Sequence, residues 1–398
     1  MDYLFSERMQ HLTGSATREI FKLLSRPEII SFAGGLPATE CLPKEDILKI
    51  ATEILTGPLA IPSLQYGTTE GFAPYIDEVI KYAADAGVLV DGKDQVLTLS
   101  GGQQGIDLMS KAFLDKGDVV LVEDPTYLAA LQIFATYQAK VIGVKSNEDG
   151  LDIDDLKAKI IKHKPKFLYV VPTFSNPTGK TYSAQKRKEI AELTAKYNTM
   201  VLEDDPYSKL RFSGNHIPSL KSFDKAGNIV FVTSFSKVLS PGLRIGAAFG
   251  DKEVIRKMTI GKQGADVSSA HLSQLITAKY LASGLLKPAI EKSLPLYKQR
   301  KDAMMAAIKQ YMPTEYKHTD PDGGLFIWGH LDADIDTALL MPKAVERNVA
   351  FIHGTVFYAE GGHNNTFRLN YSNAQLDKIE TGIKALGGLL KEEIAKLK

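Results

Sequence analysis

Short apolar runs alternate with amphipathic stretches through the middle of the 398-residue chain. The runs are apolar at nearly every position, which is typical of strands in a parallel sheet that is covered on both faces. Four such runs lie at residues 119–122, 167–171, 200–202 and 229–232. Between the second and the third, Ile190, Leu193 and Tyr197 form an apolar stripe that predicts a helix over 183–197. This alternation predicts an α/β domain with a mostly parallel sheet.

The hydrophobic pattern changes towards the C-terminus. A long helical stretch is predicted from about Ala270 to Gln310, with interruptions near Pro288 and Pro295. Two strand-like runs and an amphipathic terminal helix follow, at 323–328, 367–371 and 373–398. The order predicts an N-terminal segment, a large domain and a C-terminal small domain, at 1–45, 46–290 and 291–398. The smaller, α+β domain would then be built from both chain ends.

The charge and cysteine content narrow the class of protein. Lys and Arg number 48 and Asp and Glu number 47, so no basic field favours nucleic acid. The single cysteine, Cys41, has no partner for an internal disulfide, which favours a reducing compartment. Residues 1–10 carry charges where a signal peptide has its apolar stretch, and no apolar run approaches the roughly 20 residues that span a bilayer. We therefore predict a cytoplasmic protein without a nucleic-acid or membrane partner.

A turn of small residues, Ser100-Gly101-Gly102-Gln103, precedes a helical pattern over 106–114. Free backbone N–H groups at a helix start, together with the helix dipole, favour a bound anion such as phosphate. An ordinary tight turn before a helix has the same sequence, so both interpretations stay open at this point.

A lysine stands just beyond the predicted strand 229–232. Lys237 comes after Ser234 and Ser236, and Arg244 follows seven residues later. Partial burial and a nearby cation lower the pKa of a lysine ammonium, which suits an amine that reacts with carbonyl groups. The two hydroxyls and the guanidinium can hold a phosphate. A solvated loop lysine is the alternative, and the surrounding pattern argues against it.

Three further polar side chains stand where they need specific partners. Asp204 ends an apolar run, where a cation such as a protonated pyridine nitrogen would offset the cost of burial; metal binding or helix capping are alternatives. Asn176 lies in a rigid Asn-Pro-Thr-Gly turn that either is structural or aims its amide at a ligand. Arg368 lies between apolar neighbours and needs an anion, from the protein or from a substrate carboxylate.

The ordered series of these motifs resembles the fold type I aminotransferases of class I and II, which use pyridoxal 5'-phosphate. The match runs over most of the chain through Asn-Pro-Thr-Gly at 176–179, Asp-x-x-Tyr at 204–207, Ser-x-Ser-Lys at 234–237 with Arg244, and the late Arg368. The resemblance implies a large α/β domain with a mostly parallel sheet of the seven-stranded type. It also implies an enzyme that moves amino groups between amino acids and 2-oxo acids.

The resemblance gives each of these residues a role. Lys237 would hold the cofactor covalently and later shuttle the proton, while Asp204 would pair with the pyridinium nitrogen. Tyr207 and Asn176 would hydrogen-bond the ring oxygen, and Tyr127 would stack on the ring. The phosphate contacts would come from Gly102, Gln103, Ser234, Ser236 and Arg244. No metal site is predicted.

Two details of the resemblance concern the phosphate. In the family a tyrosine within Gln-Tyr-Gly reaches the phosphate of the neighbouring subunit, and Tyr66 matches it. A homodimer with shared active sites follows from that resemblance. Many relatives carry Ser or Thr at the position of Gly102, so here the backbone N–H would serve alone.

The N-terminal stretch resembles the branch of 2-aminoadipate and kynurenine aminotransferases. In that branch a helix covers the active site, and an arginine matching Arg18 is able to meet an acidic substrate side chain. A solvent-facing helix arginine is the alternative. Gly35 would line the substrate pocket, while Arg368 would clamp the α-carboxylate beside Asn176.

Two other functions are compatible with the same cofactor site. A lyase or a decarboxylase would use similar residues, because much of the chemistry belongs to the cofactor. A cofactor-binding transcriptional regulator would need a preceding DNA-binding domain, whereas the family-like region begins almost at Met1. The donor stays open among 2-aminoadipate, glutamate, kynurenine, aromatic and branched-chain amino acids, with a 2-oxo acid such as 2-oxoglutarate as acceptor.

Overall fold

The computed structural model describes residues 3–10, 12 and 26–397. Its strands are β1 (Ile30–Ser31), β2 (Val96–Leu99), β3 (Val119–Asp124), β4 (Lys140–Asn147), β5 (Gly150–Leu151), β6 (Phe167–Val170), β7 (Met200–Asp205), β8 (Ile229–Ser234), β9 (Gly246–Phe249), β10 (Tyr316–His318), β11 (Phe326–Leu331), β12 (Val349–Ala350), β13 (Ile352–His353) and β14 (Thr366–Asn370). Its helices are α1 (Glu7–Gln10), α2 (Lys44–Thr56), α3 (Ala60–Leu64), α4 (Ala73–Ala84), α5 (Gly102–Phe113), α6 (Leu128–Thr136), α7 (Ile153–His163), α8 (Ala184–Lys196), α9 (Lys252–Gln263), α10 (His271–Ala282), α11 (Leu286–Tyr311), α12 (Thr337–Glu346) and α13 (Leu376–Ala395).

The large sheet has the strand order β2-β9-β8-β7-β6-β3-β4-β5. Strands β8, β7, β6, β3 and β4 are parallel to their neighbours in this series, while β9 runs antiparallel between β2 and β8. The short β5 pairs antiparallel with β4. The predicted α/β fold with a mostly parallel sheet is therefore confirmed.

Both faces of this sheet are covered, which explains the continuously apolar runs. Along β6, Phe167 and Tyr169 belong to one buried cluster, and Leu168 and Val170 belong to another. All four side chains are buried. Because alternate residues of a strand point to opposite faces, each face needs its own apolar set.

A second, antiparallel sheet has the order β10-β11-β14-β13, and β1 pairs in parallel with β12 beside it. Phe32, just after β1, packs in one core cluster with Leu369 and Ile383. The N-terminal part of the described chain thus packs against the C-terminal part. The proposed boundaries of the segments 1–45, 46–290 and 291–398 stay predictions.

The helices follow the hydrophobic pattern with one correction. The predicted helix over 183–197 appears as α8, whose N-cap Ser183 accepts a hydrogen bond from the Lys186 N–H at 3.1 Å. The predicted breaks near Pro288 and Pro295 are wrong, because α11 runs through both prolines. The chain breaks instead at Gly284, which has a left-handed φ of +72°. Pro288 lies in the first turn, where an N–H has no helical acceptor.

Pro295 interrupts one hydrogen bond on an exposed face of α11, where solvent reaches the freed carbonyl. The two predicted strand-like runs appear as β11 and β14, and the terminal helix appears as α13. Among the described residues, no helix combines the length and the apolar character that a membrane span requires.

Candidate functional site

A cavity of about 210 Å³ lies at the carboxyl ends of the parallel strands β6, β7 and β8. This is the edge at which open α/β sheets bind ligands. The second sheet closes the cavity with side chains from β11 and β14. The structure brings twelve of the predicted site residues to its walls: Gly35, Gly102, Gln103, Tyr127, Asn176, Asp204, Tyr207, Ser234, Ser236, Lys237, Arg244 and Arg368.

One end of the cavity is built for an anion. Helix α5 begins at Gly102, directly after Gly101 with its left-handed φ of +89°, so the free N–H groups of its first turn lie at the cavity. The Arg244 guanidinium lies so close to Gly101 that a Cβ there would stand 2.4 Å from its Nη2 atom. The hydroxyls of Ser234 and Ser236 are 3.0 Å apart. Within the described chain Arg244 forms no ion pair, so its charge is available for a phosphate.

The cavity also contains a buried acid, close to the start of α5: a Cβ on Gly102 would stand 3.6 Å from Asp204 Oδ1. Asp204 is only 6% exposed and accepts a hydrogen bond from the Tyr169 hydroxyl at 2.9 Å. Burial raises the pKa of Asp204 to about 7, and the neighbouring Asp205 acts in the same direction. A cationic ring nitrogen would favour the ionised carboxylate here. For the alternative of a metal, the described residues contain no group of three or more His, Cys, Asp or Glu side chains that is arranged to hold one.

Lys237 lines the same cavity. Its Nζ donates a hydrogen bond to the Gly35 carbonyl oxygen at 2.7 Å. Burial, together with the charges of Arg368 and Arg244, lowers the pKa of Lys237 to about 8, and Asp204 partly offsets this effect. The lowered pKa agrees with the expectation from the sequence and leaves part of the amine neutral near pH 7.

Arg368 projects from the second sheet as a buried cation, 3% exposed. Its Nη1 donates to Asn176 Oδ1 and its Nη2 to the Ala33 carbonyl oxygen, both at 2.6 Å. The guanidinium lies over the Phe326 ring, 4.3 Å from its centroid. Its Nε is buried without a hydrogen-bond partner in the described residues. Among the described residues no carboxylate forms an ion pair with Arg368, which fits a carboxylate that arrives with a substrate.

Aromatic side chains form the remaining walls. Tyr127 precedes α6, and burial together with Asp204 raises the pKa of its hydroxyl to about 12, so that it stays a donor at neutral pH. Tyr207 is buried edge-to-face against Phe326, with ring centroids 5.8 Å apart. A flat aromatic cofactor fits between such walls.

Of the two remaining predicted residues, the structure describes only Tyr66. The Tyr66 side chain is 85% exposed and does not line the cavity. Arg18 lies outside the described residues. The roles assigned to individual residues by resemblance stay predictions.

Sequence reasoning missed three residues that shape the site: Tyr169, Glu123 and Phe326. Tyr169 and Glu123 each sit in or at the end of an apolar run, and a polar group at such a position signals a specific partner. Glu123 accepts hydrogen bonds from the Ser175 and Tyr182 hydroxyls, both at 2.8 Å. Phe326 carries no comparable signal, since its contact with Arg368 depends on how two strands pair.

Known proteins share both the sequence and the fold. Residues 60–386 match the family described as aminotransferase class I and II. Aromatic-amino-acid aminotransferase 1 of Thermococcus litoralis is 39% identical, over 100% of this chain and 96% of the relative. A crystal structure of the Pyrococcus horikoshii kynurenine aminotransferase in complex with PMP is 40% identical, with a TM-score of 0.94 over 98% of this chain and 97% of that one.

A third relative adds the cofactor. The α-aminoadipate aminotransferase LysN of Thermus thermophilus, solved with N-(5'-phosphopyridoxyl)-L-leucine, is 35% identical with a TM-score of 0.92 and covers 98% of both chains. The ligand in that crystal structure joins an amino acid to the pyridoxyl phosphate group. The cavity described above has a place for each part of such a group: an anion site, a buried acid, an amine and an unpaired guanidinium. The chain belongs to the class I and II aminotransferase family and is a pyridoxal-phosphate-dependent aminotransferase.

Proposed function

We propose that transamination in this chain is organised around Lys237, Asp204 and Arg368. The observation that carries the proposal is that the buried side chains of Asp204 and Arg368 and the half-buried side chain of Lys237 converge on one cavity. None of the three forms an ion pair among the described residues. The phosphate contacts would come from the α5 N-terminus and nearby side chains, namely Gly102, Gln103, Ser234, Ser236 and Arg244. Tyr127, Tyr207 and Asn176 would hold the ring.

Each of the three residues has a distinct task. Arg368 holds the α-carboxylate of the substrate and so fixes the direction of its Cα–H bond. The neutral amine of Lys237 would remove the proton from the α-carbon, hold it at Nζ and deliver it to the cofactor carbon that receives the amino group. The Asp204 carboxylate would pair with the ring nitrogen of the cofactor and so keep that nitrogen protonated. When bound, pyridoxal phosphate supplies the electron sink for the electron pair that the proton leaves behind.

The substrate side chain would meet a mainly apolar wall. Leu36, Leu128 and Phe326 line the cavity with Gly35, where a Cβ would stand 3.2 Å from Phe326 Cζ. We therefore propose aromatic and branched-chain amino acids as donors and 2-oxoglutarate as an acceptor. The relatives include an aromatic-amino-acid, a kynurenine and an α-aminoadipate aminotransferase, which supports this choice of substrates. Use of 2-aminoadipate, glutamate or 2-oxoglutarate would depend on Arg18, because all three carry an acidic side chain.

The active unit would be a homodimer in the cytoplasm. The exposed Tyr66 side chain does not line its own cavity, and Ile61 and Leu64, close to it in the chain, are 74% and 70% exposed. Such apolar exposure favours an interface. We propose that Tyr66 reaches the phosphate site of the partner subunit. The free thiol of Cys41 is compatible with a reducing compartment.

The function is tested by adding single amino acids to the purified protein loaded with pyridoxal phosphate. We expect the visible band of the bound cofactor to fall, with one 2-oxo acid formed per site, and to return when 2-oxoglutarate is added. Phenylalanine, kynurenine and leucine should react faster than glutamate. Carbon dioxide or an alkene product without a 2-oxo acid would indicate the lyase or decarboxylase alternative.

Replacing the proposed amine provides the matched test of the residue assignment. Lys237→Ala should lose turnover by at least about four orders of magnitude, since both its nucleophilic and its proton-transfer roles disappear. Arg256→Gln, at an exposed ion pair on α9, should leave turnover unchanged. Near-normal turnover of Lys237→Ala would refute the assignment.

A further inference from the structure

A buried lysine stands behind the proposed anion site. Lys262, near the end of α9, is 0% exposed, although it carries an ammonium group. Its Nζ donates to Gln104 Oε1 at 2.8 Å, to the two carboxylate oxygens of Asp266 at 2.8 and 2.9 Å, and to Ser269 Oγ at 3.1 Å. The ammonium is thus fully engaged inside the protein and does not line the cavity.

The acceptors of Lys262 in turn hold Ser100. The Ser100 hydroxyl donates to Asp266 Oδ2 at 2.8 Å, and the Ser100 N–H donates to Gln104 Oε1 at 2.8 Å. Gln104 also donates from its Nε2 to Asp266 Oδ2 at 2.7 Å. Both the backbone and the side chain of Ser100 are therefore fixed by groups that Lys262 contacts directly.

Ser100 is the residue on which both proposed phosphate contacts depend. Its carbonyl oxygen accepts a hydrogen bond from Arg244 Nη2 at 3.1 Å. The next two residues are Gly101, the N-cap, and Gly102, the first residue of α5. A displacement of Ser100 would therefore move the guanidinium and the free N–H groups of the helix start together.

We propose that Lys262, acting through Asp266 and Gln104, is a positioning residue for the phosphate group of the cofactor. The inference rests on the proposed function, because it takes the helix start and Arg244 as the phosphate site. A buried ion pair adds little net stability compared with apolar side chains of similar size, so stability alone gives a weak reason for this one. Its hydrogen bonds to residues 100–104 give it a geometric task.

The experiment compares two ligands that differ only in the phosphate. Dissociation constants for pyridoxal phosphate and for pyridoxal are measured by visible absorbance, with the full-length protein and its variants. Lys262→Met keeps the length of the side chain and removes its donors. We expect the preference for pyridoxal phosphate over pyridoxal to fall about ten-fold or more, while pyridoxal affinity changes less than about two-fold. A general loss of structure would weaken both ligands in proportion and would overturn the inference.

Three further variants make the outcome decisive. Asp266→Asn, at a side chain that is 29% exposed, should reduce the same preference and serves if Lys262→Met does not fold. Arg256→Gln, on the exposed face of the same helix, should leave the preference unchanged. Arg244→Gln tests the phosphate site itself. If Arg244→Gln lowers the preference for pyridoxal phosphate whereas Lys262→Met and Asp266→Asn do not, only the role of Lys262 is wrong. If Arg244→Gln also has no effect, the proposed phosphate site is wrong.

Discussion

The reactivity of the site depends on the Lys237 amine, whose pKa is set by burial and by the charged side chains around it. Burial lowers the pKa of Lys237 most, the guanidiniums of Arg368 and Arg244 lower it further, and the Asp204 carboxyl opposes them. With a pKa of about 8, roughly a tenth of the amine is neutral at pH 7. An ordinary lysine would be neutral in fewer than about one molecule in a thousand.

This charge balance predicts the pH dependence of cofactor capture. The neutral amine is the nucleophile, so the rate of pyridoxal phosphate capture by the cofactor-free protein should rise about ten-fold per pH unit and level off above pH 8. Arg368→Gln removes a cation that lowers the pKa of Lys237, so the midpoint should move to higher pH. Stopped-flow absorbance between pH 6 and about 10 measures both profiles. A midpoint that Arg368→Gln leaves in place would show that the guanidinium does not act on the amine.

At the same scale, the sequence identifies the residues that face the cavity and misses those that support them. Asp204 and Asn176 stand in short local motifs that are visible in the chain. The hydrogen bond of Tyr169 to Asp204 joins neighbouring strands, 35 residues apart, so it depends on sheet register. Local patterns carry no information on such register, and this is why the supporting partners emerge only from the fold.

At the scale of elements, one buried carboxyl ties together the ends of two strands and the turn that carries Asn176. Glu123, in β3, accepts from the Val171 N–H at 3.1 Å, just after β6, and from the Ser175 and Tyr182 hydroxyls. Ser175 precedes Asn176, which in turn contacts Arg368. Glu123 thereby supports the substrate side of the cavity without reaching it.

Two substitutions of Glu123 should show how much its acceptor oxygens contribute to stability. Glu123→Ala leaves three buried donors without an acceptor and should lower the free energy of unfolding by about 3 kcal/mol or more. Glu123→Gln keeps an acceptor oxygen and should cost less. Urea unfolding of the two variants measures the difference, and equal losses would contradict this account of the hydrogen bonds.

The same pair predicts a pH effect on stability. Burial raises the pKa of Glu123 to about 7 from its ordinary 4.5, although its three hydrogen bonds oppose this. The folded protein then binds this proton more tightly than the unfolded chain, so the contribution of Glu123 to stability falls as pH rises from about 5 to about 7. Wild type should therefore lose about 2 kcal/mol relative to Glu123→Gln over that range. If the difference in unfolding free energy between wild type and Glu123→Gln stays constant with pH, Glu123 does not ionise in this pH range.

On the scale of the whole molecule, the cavity joins segments that are far apart along the chain. Arg368 comes from β14, while its acceptor Ala33 comes from the stretch after β1. The alternation of apolar runs predicts the central strands β3, β6, β7 and β8 of the large sheet, because nearly every residue of these strands is buried. It does not predict β2, β4, β5 or β9, and β4 has exposed positions. The sequence does not predict the closure of the cavity by the second sheet, since β11 and β14 carry no signal of the face they present.

The placement of Tyr66 leads to a prediction about the dimer. Its side chain is exposed and away from its own cavity, so a role at a phosphate requires a second subunit. Tyr66→Phe removes one hydroxyl and should weaken pyridoxal phosphate binding about ten-fold if that hydroxyl contacts the phosphate. Size-exclusion chromatography with light scattering should show a dimer for the wild type and for this variant.

Hybrid dimers then distinguish contact across the interface from contact within one subunit. One protomer carries Lys237→Ala with an intact Tyr66, and its partner carries Tyr66→Phe with an intact Lys237. If Tyr66 serves the partner's cavity, one site of the purified hybrid combines both intact residues and binds the cofactor with wild-type affinity, which restores turnover at limiting pyridoxal phosphate. If Tyr66 serves its own subunit, the only site with an intact Lys237 has the weaker affinity of Tyr66→Phe. Recovery of half the wild-type turnover therefore requires shared sites, whereas its absence would mean that each subunit completes its own.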